Sequence, residues 1–212
     1  MDKYKETFNT WNKVAKLYQD SFFDFNLYND TYDAFCALLP DVGSKILDLG
    51  CGPGNITNYL FHKRPDFKIT GIDVAPQMLE LAKKNNPTAD FELMDIRDLH
   101  KLNKSFNGII AGFCFPYLSG KDLTRLFEVC KNLLEPPGIF YLSFVEGDPN
   151  DSEFQTGSEG DRVFFYYHDL NTTQHDLESF GFEVLDIIHK TYQRPGKREE
   201  IHTVVLAKNA AL

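Results

Sequence analysis

From residue 45 onward, apolar and polar positions alternate between two rhythms. Residues 45–50, Lys-Ile-Leu-Asp-Leu-Gly, are a short apolar run ending in a glycine-rich turn; residues 56–63 have helical spacing, and 67–72 are a second apolar run after the breaker Pro65. Residues 75–85 read as a helix, 90–94 and 107–113 as strands, and 121–134 as an amphipathic helix. A fifth strand, 138–145, follows Pro136-Pro137-Gly138. Strand, helix, strand, repeated, predicts a parallel sheet.

The last third changes character. Residues 172–180 form a helix stopped by Gly181, and the apolar runs 182–192 and 201–208 are joined by the turn-forming stretch 194–198. Two strands so joined make an antiparallel hairpin, placed at the edge of the parallel sheet. Ahead of residue 45, segments 4–18 and 28–39 have helical patterns rich in aromatics and are expected to form a cap. Residues 147–162 read as a mobile lid, followed by an aromatic strand at 164–167.

Length and charge narrow this picture. A chain of 212 residues fits one domain: a helical cap at 1–40, a cofactor-binding core at 41–145, a lid and aromatic strand at 146–170, and the helix and hairpin at 171–212. With 22 basic against 31 acidic residues the net charge is −9, and the acids are scattered. That balance disfavours nucleic acid as a partner. Cys36, Cys51, Cys114 and Cys130 show neither a Cys-x-x-Cys pair nor zinc-like spacing to histidine, so no metal or disulfide framework is expected. The charged N-terminal stretch is not followed by an apolar signal core, and no run approaches the roughly 20 apolar residues of a membrane helix. The expectation is a cytoplasmic protein, monomer or homodimer, acting on a small molecule and not on membrane or nucleic acid.

The strongest chemical signal is Asp48-Leu-Gly50-Cys51-Gly52-Pro-Gly54-Asn55. A parallel strand must turn sharply into the next helix, and glycines both permit the turn and let a ligand lie against the peptide groups. In a dinucleotide-binding loop the third glycine would fall at position 55, which is Asn. Asp48 beneath the loop would repel a diphosphate, whereas it suits a cation such as an α-amino group. A nicotinamide or flavin oxidoreductase is disfavoured on both counts. Asp73 ends the second strand, where a carboxylate can accept from two ribose hydroxyls. Asp95 follows the third strand, able to accept from an exocyclic amine, with Ile96 beside it as an apolar wall. Together these positions describe a ligand with an amino-acid end, a ribose and an adenine.

The segments 45–54 (KILDLGCGPG), 71–78 (GIDVAPQM), Asp95-Ile96 and 133–138 (LLEPPG) resemble those of class I S-adenosylmethionine-dependent methyltransferases, over residues 40–208. The resemblance implies an α/β, Rossmann-like mixed seven-stranded sheet of order 3-2-1-4-5-7-6 with strand 7 antiparallel, helices on both faces and an N-terminal helical cap. It implies S-adenosyl-L-methionine as cofactor, with Gly50, Cys51, Gly52 and Gly54 under the methionine part, Asp73 on the ribose and Asp95 on the adenine amine. Val74, Met78 and Ile96 would flank the adenine, and Gly112-Phe113 would offer backbone to the methionine end. Pro136-Pro137-Gly138 departs from the family's usual Pro-Gly-Gly at a turn outside the cofactor contacts.

Other duties are open to the same residues. Asp73 can cap the helix starting near Pro76, Asp95 can cap the turn before Leu99, and Asp48 can be a paired buried acid. The sulfonium methyl is already activated, so the chemistry asks mainly for alignment and desolvation, and a base is needed only by some acceptors. His168 is the candidate base because imidazole titrates near neutrality. The acceptor pocket is expected from the cap and the segments after strands four and five, with Tyr18, Phe115, Tyr117 and Tyr166 as candidates. The expected activity is methyl transfer to a small molecule; the alternative is a non-catalytic S-adenosylmethionine-binding sensor or assembly subunit.

Overall fold

The computed structural model describes residues 2–157, 160–193 and 199–210. The expected turn 194–198, with Arg194 and Arg198, lies outside the described residues. The N-terminal aromatic segments form α1 (Lys3–Lys13), α2 (Ala15–Phe22) and α3 (Asn29–Ala37). One helix is expected over 4–18, but the chain breaks at Val14, whose backbone leaves helical geometry at φ −92° and ψ 11°. Then β1 (Lys45–Leu49), α4 (Asn55–Lys63), β2 (Lys68–Asp73), α5 (Pro76–Asn85), β3 (Asp90–Leu93), β4 (Phe106–Ala111), α6 (Gly120–Leu133) and β5 (Leu134–Val145) alternate as the pattern predicts. Strand β4 stops before Gly112 because the next residue, Phe113, turns into left-handed space at φ 54°.

After β5 come a short hairpin, β6 (Glu153–Thr156) with β7 (Arg162–Phe165), then α7 (Leu170–Ser179), β8 (Phe182–Gln193) and β9 (Glu199–Asn209). The order of the main sheet is β3-β2-β1-β4-β5-β9-β8. Strands β1 to β5 pair in parallel, and β9 runs antiparallel to both neighbours. This is the order expected, with β8 and β9 standing as sixth and seventh strands. The segment 147–162 is not a featureless lid: Phe154 pairs with Phe164 across an antiparallel ladder, so the aromatic strand finds a hydrogen-bonded partner.

The apolar runs of the sheet serve two cores because successive side chains point to opposite faces. On one face Leu47, Leu49, Ile109, Phe140, Leu142 and Val205 meet Leu126 and Phe127 of α6. On the other, Ile46, Ile110, Ile139, Tyr141, Val204 and Leu206 meet Phe35 of α3 and Leu60 of α4. Burying such a side chain contributes roughly 1.5–3 kcal/mol. Continuous hydrophobicity, rather than alternation, is the signature of a sheet covered on both faces.

The cap is tied down by polar contacts as well. Thr7 Oγ1 accepts from the Phe164 amide at 3.0 Å, and Thr10 Oγ1 donates to the Arg162 carbonyl at 2.8 Å, so α1 carries the β6–β7 hairpin with it. Arg162 also reaches Glu6 at 2.5 Å. All four cysteines are buried and unbridged. Among the described residues no helix is long and apolar enough to cross a membrane.

Candidate functional site

The strand order runs outward from β1 in one direction through β2 and in the other through β4, and such a switch point opens a crevice at the carboxyl ends of the strands. A cleft of about 450 Å³ lies there, between the sheet and the cap. Gly50, Cys51 and Gly52 line it from the β1 turn; Asp73, Val74 and Met78 from the end of β2 and the start of α5; Asp95 and Ile96 from the turn after β3; and Gly112 and Phe113 from the end of β4. Four separate turns thus converge on one cavity, and every one of those residues is one the sequence singles out.

The loop's shape is set by close approaches. Gly50 has φ +64°, and a Cβ there would sit 2.8 Å from the Cβ of Cys114, so the turn after β4 packs directly on it. A Cβ on Gly52 would point at the Tyr18 ring, 3.8 Å away, which places Tyr18 over the loop. Gly54 serves the packing of helix on helix and is absent from the cleft lining. It stands at the N-terminus of α4 with φ +79° and gives its carbonyl to Asn86 Nδ2 at 2.9 Å. An added Cβ would meet that same Nδ2 at 2.4 Å.

The three acids occupy distinct environments. Asp48 is 1 % exposed and sits beneath the loop, outside the lining. Its Oδ2 accepts from Thr57 Oγ1 at 2.7 Å, while Oδ1 is buried with no hydrogen-bond partner among the described residues. Burial raises its pKa from 3.8 to about 7, aided by the charge of Asp73 and opposed by Thr57. An orphaned carboxylate oxygen below a side-chain-free loop fits a cationic ligand group. Asp73 accepts from the Gly52 amide at 2.9 Å and the Ala75 amide at 2.8 Å, and burial also raises its pKa against those bonds. Each of its oxygens has a second lone pair for a ligand hydroxyl. Asp95 accepts from the Arg97 amide at 2.9 Å, capping the turn Ile96–Lys101, and pairs with the Arg97 guanidinium at 2.6 Å. The capping duties and the cleft-lining positions coexist.

Phe113 adds a constraint. It holds a positive φ, its amide donates to Ser143 Oγ at 2.9 Å, and only its carbonyl is left to offer a ligand. Strained backbone of this kind persists where surrounding structure fixes it, commonly at sites of function.

The acceptor-side candidates divide. Tyr18 and Tyr117 line the cleft, both edge-on to Trp11. Phe115 does not: it is fully buried between Phe127 and Phe140 in the core. Tyr166 packs on Phe164 and Tyr4 outside the cleft, because the alternation of the extended chain turns Phe165 inward and its neighbours outward. His168 is likewise outside the cleft lining. Its Nε2 donates to the Phe115 carbonyl at 2.9 Å, its ring stands edge-on to Phe144, and burial lowers its pKa. It anchors the chain after the hairpin and lines a separate cavity with Tyr166 and Phe127 instead of this cleft.

Sequence reasoning misses Tyr28, Tyr192 and His202, which also line the cleft. His202, near the start of β9, pairs with Val145, the last residue of β5, so the first part of this antiparallel strand reaches the carboxyl-end crevice. The available signal is Glu200-Ile201-His202, in which the two polar residues share one face.

Comparisons with known proteins agree with this geometry. Residues 46–138 match the family model described as a methyltransferase domain. The demethylmenaquinone methyltransferase of Thermotoga maritima is 34% identical over 123 residues, 58% of this chain and 50% of that protein. The trans-aconitate 2-methyltransferase of Escherichia fergusonii is 37% identical over 101 residues, 48% of this chain and 39% of that protein. The chain thus spans half or less of the length of these curated relatives. A solved S-adenosylmethionine-dependent methyltransferase from Clostridium acetobutylicum superposes with a TM-score of 0.69 over 95% of this chain and 99% of that one, at 20% identity, a likeness of fold.

Proposed function

We propose that the chain is a class I S-adenosylmethionine-dependent methyltransferase that uses S-adenosylmethionine as its cofactor, a reading supported by the methyltransferase-domain match over residues 46–138 and the methyltransferase relatives, and that it transfers a methyl group to a small-molecule acceptor held between the cap, the ends of β4 and β5 and the start of β9. The observation that carries this reading is the convergence of Gly50, Asp73 and Asp95 on one cleft that Trp11, Tyr18, Tyr28 and Tyr117 also line.

In this reading Asp48 faces the cofactor's ammonium, Asp73 holds the ribose hydroxyls, and Asp95 accepts from the adenine amine between Val74, Met78 and Ile96. Bound S-adenosylmethionine supplies a methyl group already activated on a sulfonium. What remains for the protein is to orient an acceptor and exclude water. Tyr18, Trp11 and Tyr117 do the latter, closing the loop side of the cleft with Trp11 in contact with both tyrosines, at centroid distances of 5.5 and 5.2 Å.

Calorimetry with S-adenosylmethionine and S-adenosylhomocysteine tests the reading. Micromolar binding by the wild-type protein, together with transfer of labelled methyl from the donor into acceptors of a metabolite extract, is the expected result. Binding without any transfer would leave the non-catalytic alternative in its place, and no binding at all would remove both.

A further inference from the structure

The cleft has a second end that the cofactor reading does not use. Beyond Phe113 it is closed by Phe25, Tyr28, Tyr192 and His202. These rings touch one another: Tyr28 and Phe113 at 4.8 Å between centroids, Phe113 and His202 at 4.9 Å, Tyr192 and His202 at 4.9 Å, Phe25 and Tyr192 at 5.7 Å. Phe113, Tyr192 and His202 belong to the β4, β8 and β9 side of the sheet, opposite the β2 and β3 side that carries Asp73 and Asp95. Flat apolar walls of this kind suit a planar ring.

A polar chain runs through the enclosure. Tyr28 Oη lies 2.5 Å from His202 Nδ1, and His202 Nε2 lies 3.4 Å from Glu200 Oε2. His202 is 6 % exposed and Tyr28 7 %. A carboxylate only accepts hydrogen bonds, so Glu200 fixes the imidazole proton on Nε2 and leaves Nδ1 to accept from the tyrosine hydroxyl. The lone pairs of Tyr28 Oη are then left to accept a proton. Burial holds the Tyr28 phenol protonated well above its ordinary range, so it acts as a relay and not as a standing phenolate.

We propose that this end of the cleft takes an aromatic acceptor bearing a ring hydroxyl, and that Tyr28, His202 and Glu200 carry away the hydroxyl proton. The proposal rests on the methyltransferase reading above. The acceptor oxygen forms its bond to the methyl carbon with its own electron pair while the carbon–sulfur pair stays on sulfur. The hydroxyl proton moves to Tyr28 Oη as the Tyr28 proton moves to His202 Nδ1. A phenol and a sulfonium become an aryl methyl ether and a thioether, and the proton rests on an imidazolium facing Glu200 until solvent takes it. Tyr28 is the catalytic residue of this step; His202 and Glu200 position and polarise it. A neutral amine can attack before it loses a proton and a carboxylate has none to lose, so a relay is of most use to a hydroxyl.

The test compares the shape-matched set 1-naphthol, 1-naphthylamine and 1-naphthoate, plus 4-nitrophenol as a phenol that ionises readily, in methyl-transfer assays with labelled donor. Calorimetry of S-adenosylhomocysteine, and of 1-naphthol added to that complex, accompanies each protein. The wild type is expected to methylate 1-naphthol in preference to the amine and the acid, and to bind 1-naphthol when S-adenosylhomocysteine is present. In Tyr28→Phe and His202→Asn, with S-adenosylhomocysteine affinity kept within about twofold, the ratio of 1-naphthol to 4-nitrophenol turnover is expected to fall roughly 100-fold, the scale of proton-transfer catalysis. A wild type that binds S-adenosylhomocysteine but methylates no phenol, or favours the amine or acid, overturns the proposal. So do variants that leave the ratio unchanged, or that lose both phenols equally, which is the mark of a packing role. A wild type that does not bind S-adenosylhomocysteine fails the underlying reading instead.

Discussion

Asp73 Oδ2 accepts a hydrogen bond from the Gly52 amide at 2.9 Å, so the carboxylate that ends β2 holds the loop that ends β1. One side chain thus shapes the glycine turn and presents lone pairs to the cleft. The two duties cannot be removed separately by truncation.

Replacing Asp73 with Ala is therefore expected to weaken S-adenosylhomocysteine binding at least tenfold and to lower thermal stability as well, because the amides of Gly52 and Ala75 lose their acceptor. Calorimetry and a melting curve on the same sample check both halves. Unchanged affinity would remove Asp73 from the site.

Gly112 has no room for a side chain. A Cβ there would fall 2.2 Å from Ile56 Cδ1, the tip of a flexible side chain. Gly112→Ala is expected to cost about 1–3 kcal/mol by overpacking, and Ile56→Val, which removes that tip, is expected to recover much of the loss in the double variant. Denaturant unfolding of the four proteins gives the coupling directly.

Asp48 makes the ligand-free protein sensitive to alkali. Its folded pKa is raised from 3.8 to about 7, so the folded state keeps a proton that the unfolded chain gives up, and stability from this group falls as pH climbs between those values. Asp48→Asn is expected to melt several degrees higher than wild type at pH 8 and to show a smaller difference near pH 4. The same variant is expected to bind S-adenosylmethionine more weakly, its orphaned Oδ1 having lost its charge.

His168 acts at the other limb. Burial lowers its folded pKa below 6.5, so the unfolded chain takes the proton first and stability from this group, complete above 6.5, is lost as pH falls below it. His168→Gln, which keeps a donor for the Phe115 carbonyl, is expected to flatten the acid limb of a melting-temperature profile. Methyl-transfer rates near neutral pH are expected to stay within about twofold of wild type, since His168 lies outside the cleft lining.

Most of the parallel sheet is legible in the chain because its strands are buried on both faces and read as unbroken apolar runs between glycine and proline breakers. The glycine and acid positions of the cleft are legible for a related reason: Gly50, Asp73, Asp95 and Gly112 each stand at or just beyond the carboxyl end of a strand, where local sequence alone sets position. Phe115 and Phe164 to Tyr167 show the limit. Aromatic composition said that a pocket was near, and only the pleat and the helical turn decided which rings face it.

His202 lies beyond what the sequence by itself could determine. Glu200 two residues away is the one local mark, but Tyr28 comes from the other end of the chain, and an imidazole acquires its role from what is brought against both its nitrogens. The sequence determined the alternation of elements, the turn after β1 and the acids at or beyond the ends of β1, β2 and β3, because short-range backbone rules act within each segment. The tertiary structure decided which face of each aromatic segment meets the cleft and which histidine stands in it, because those depend on the antiparallel return of β9 beside β5.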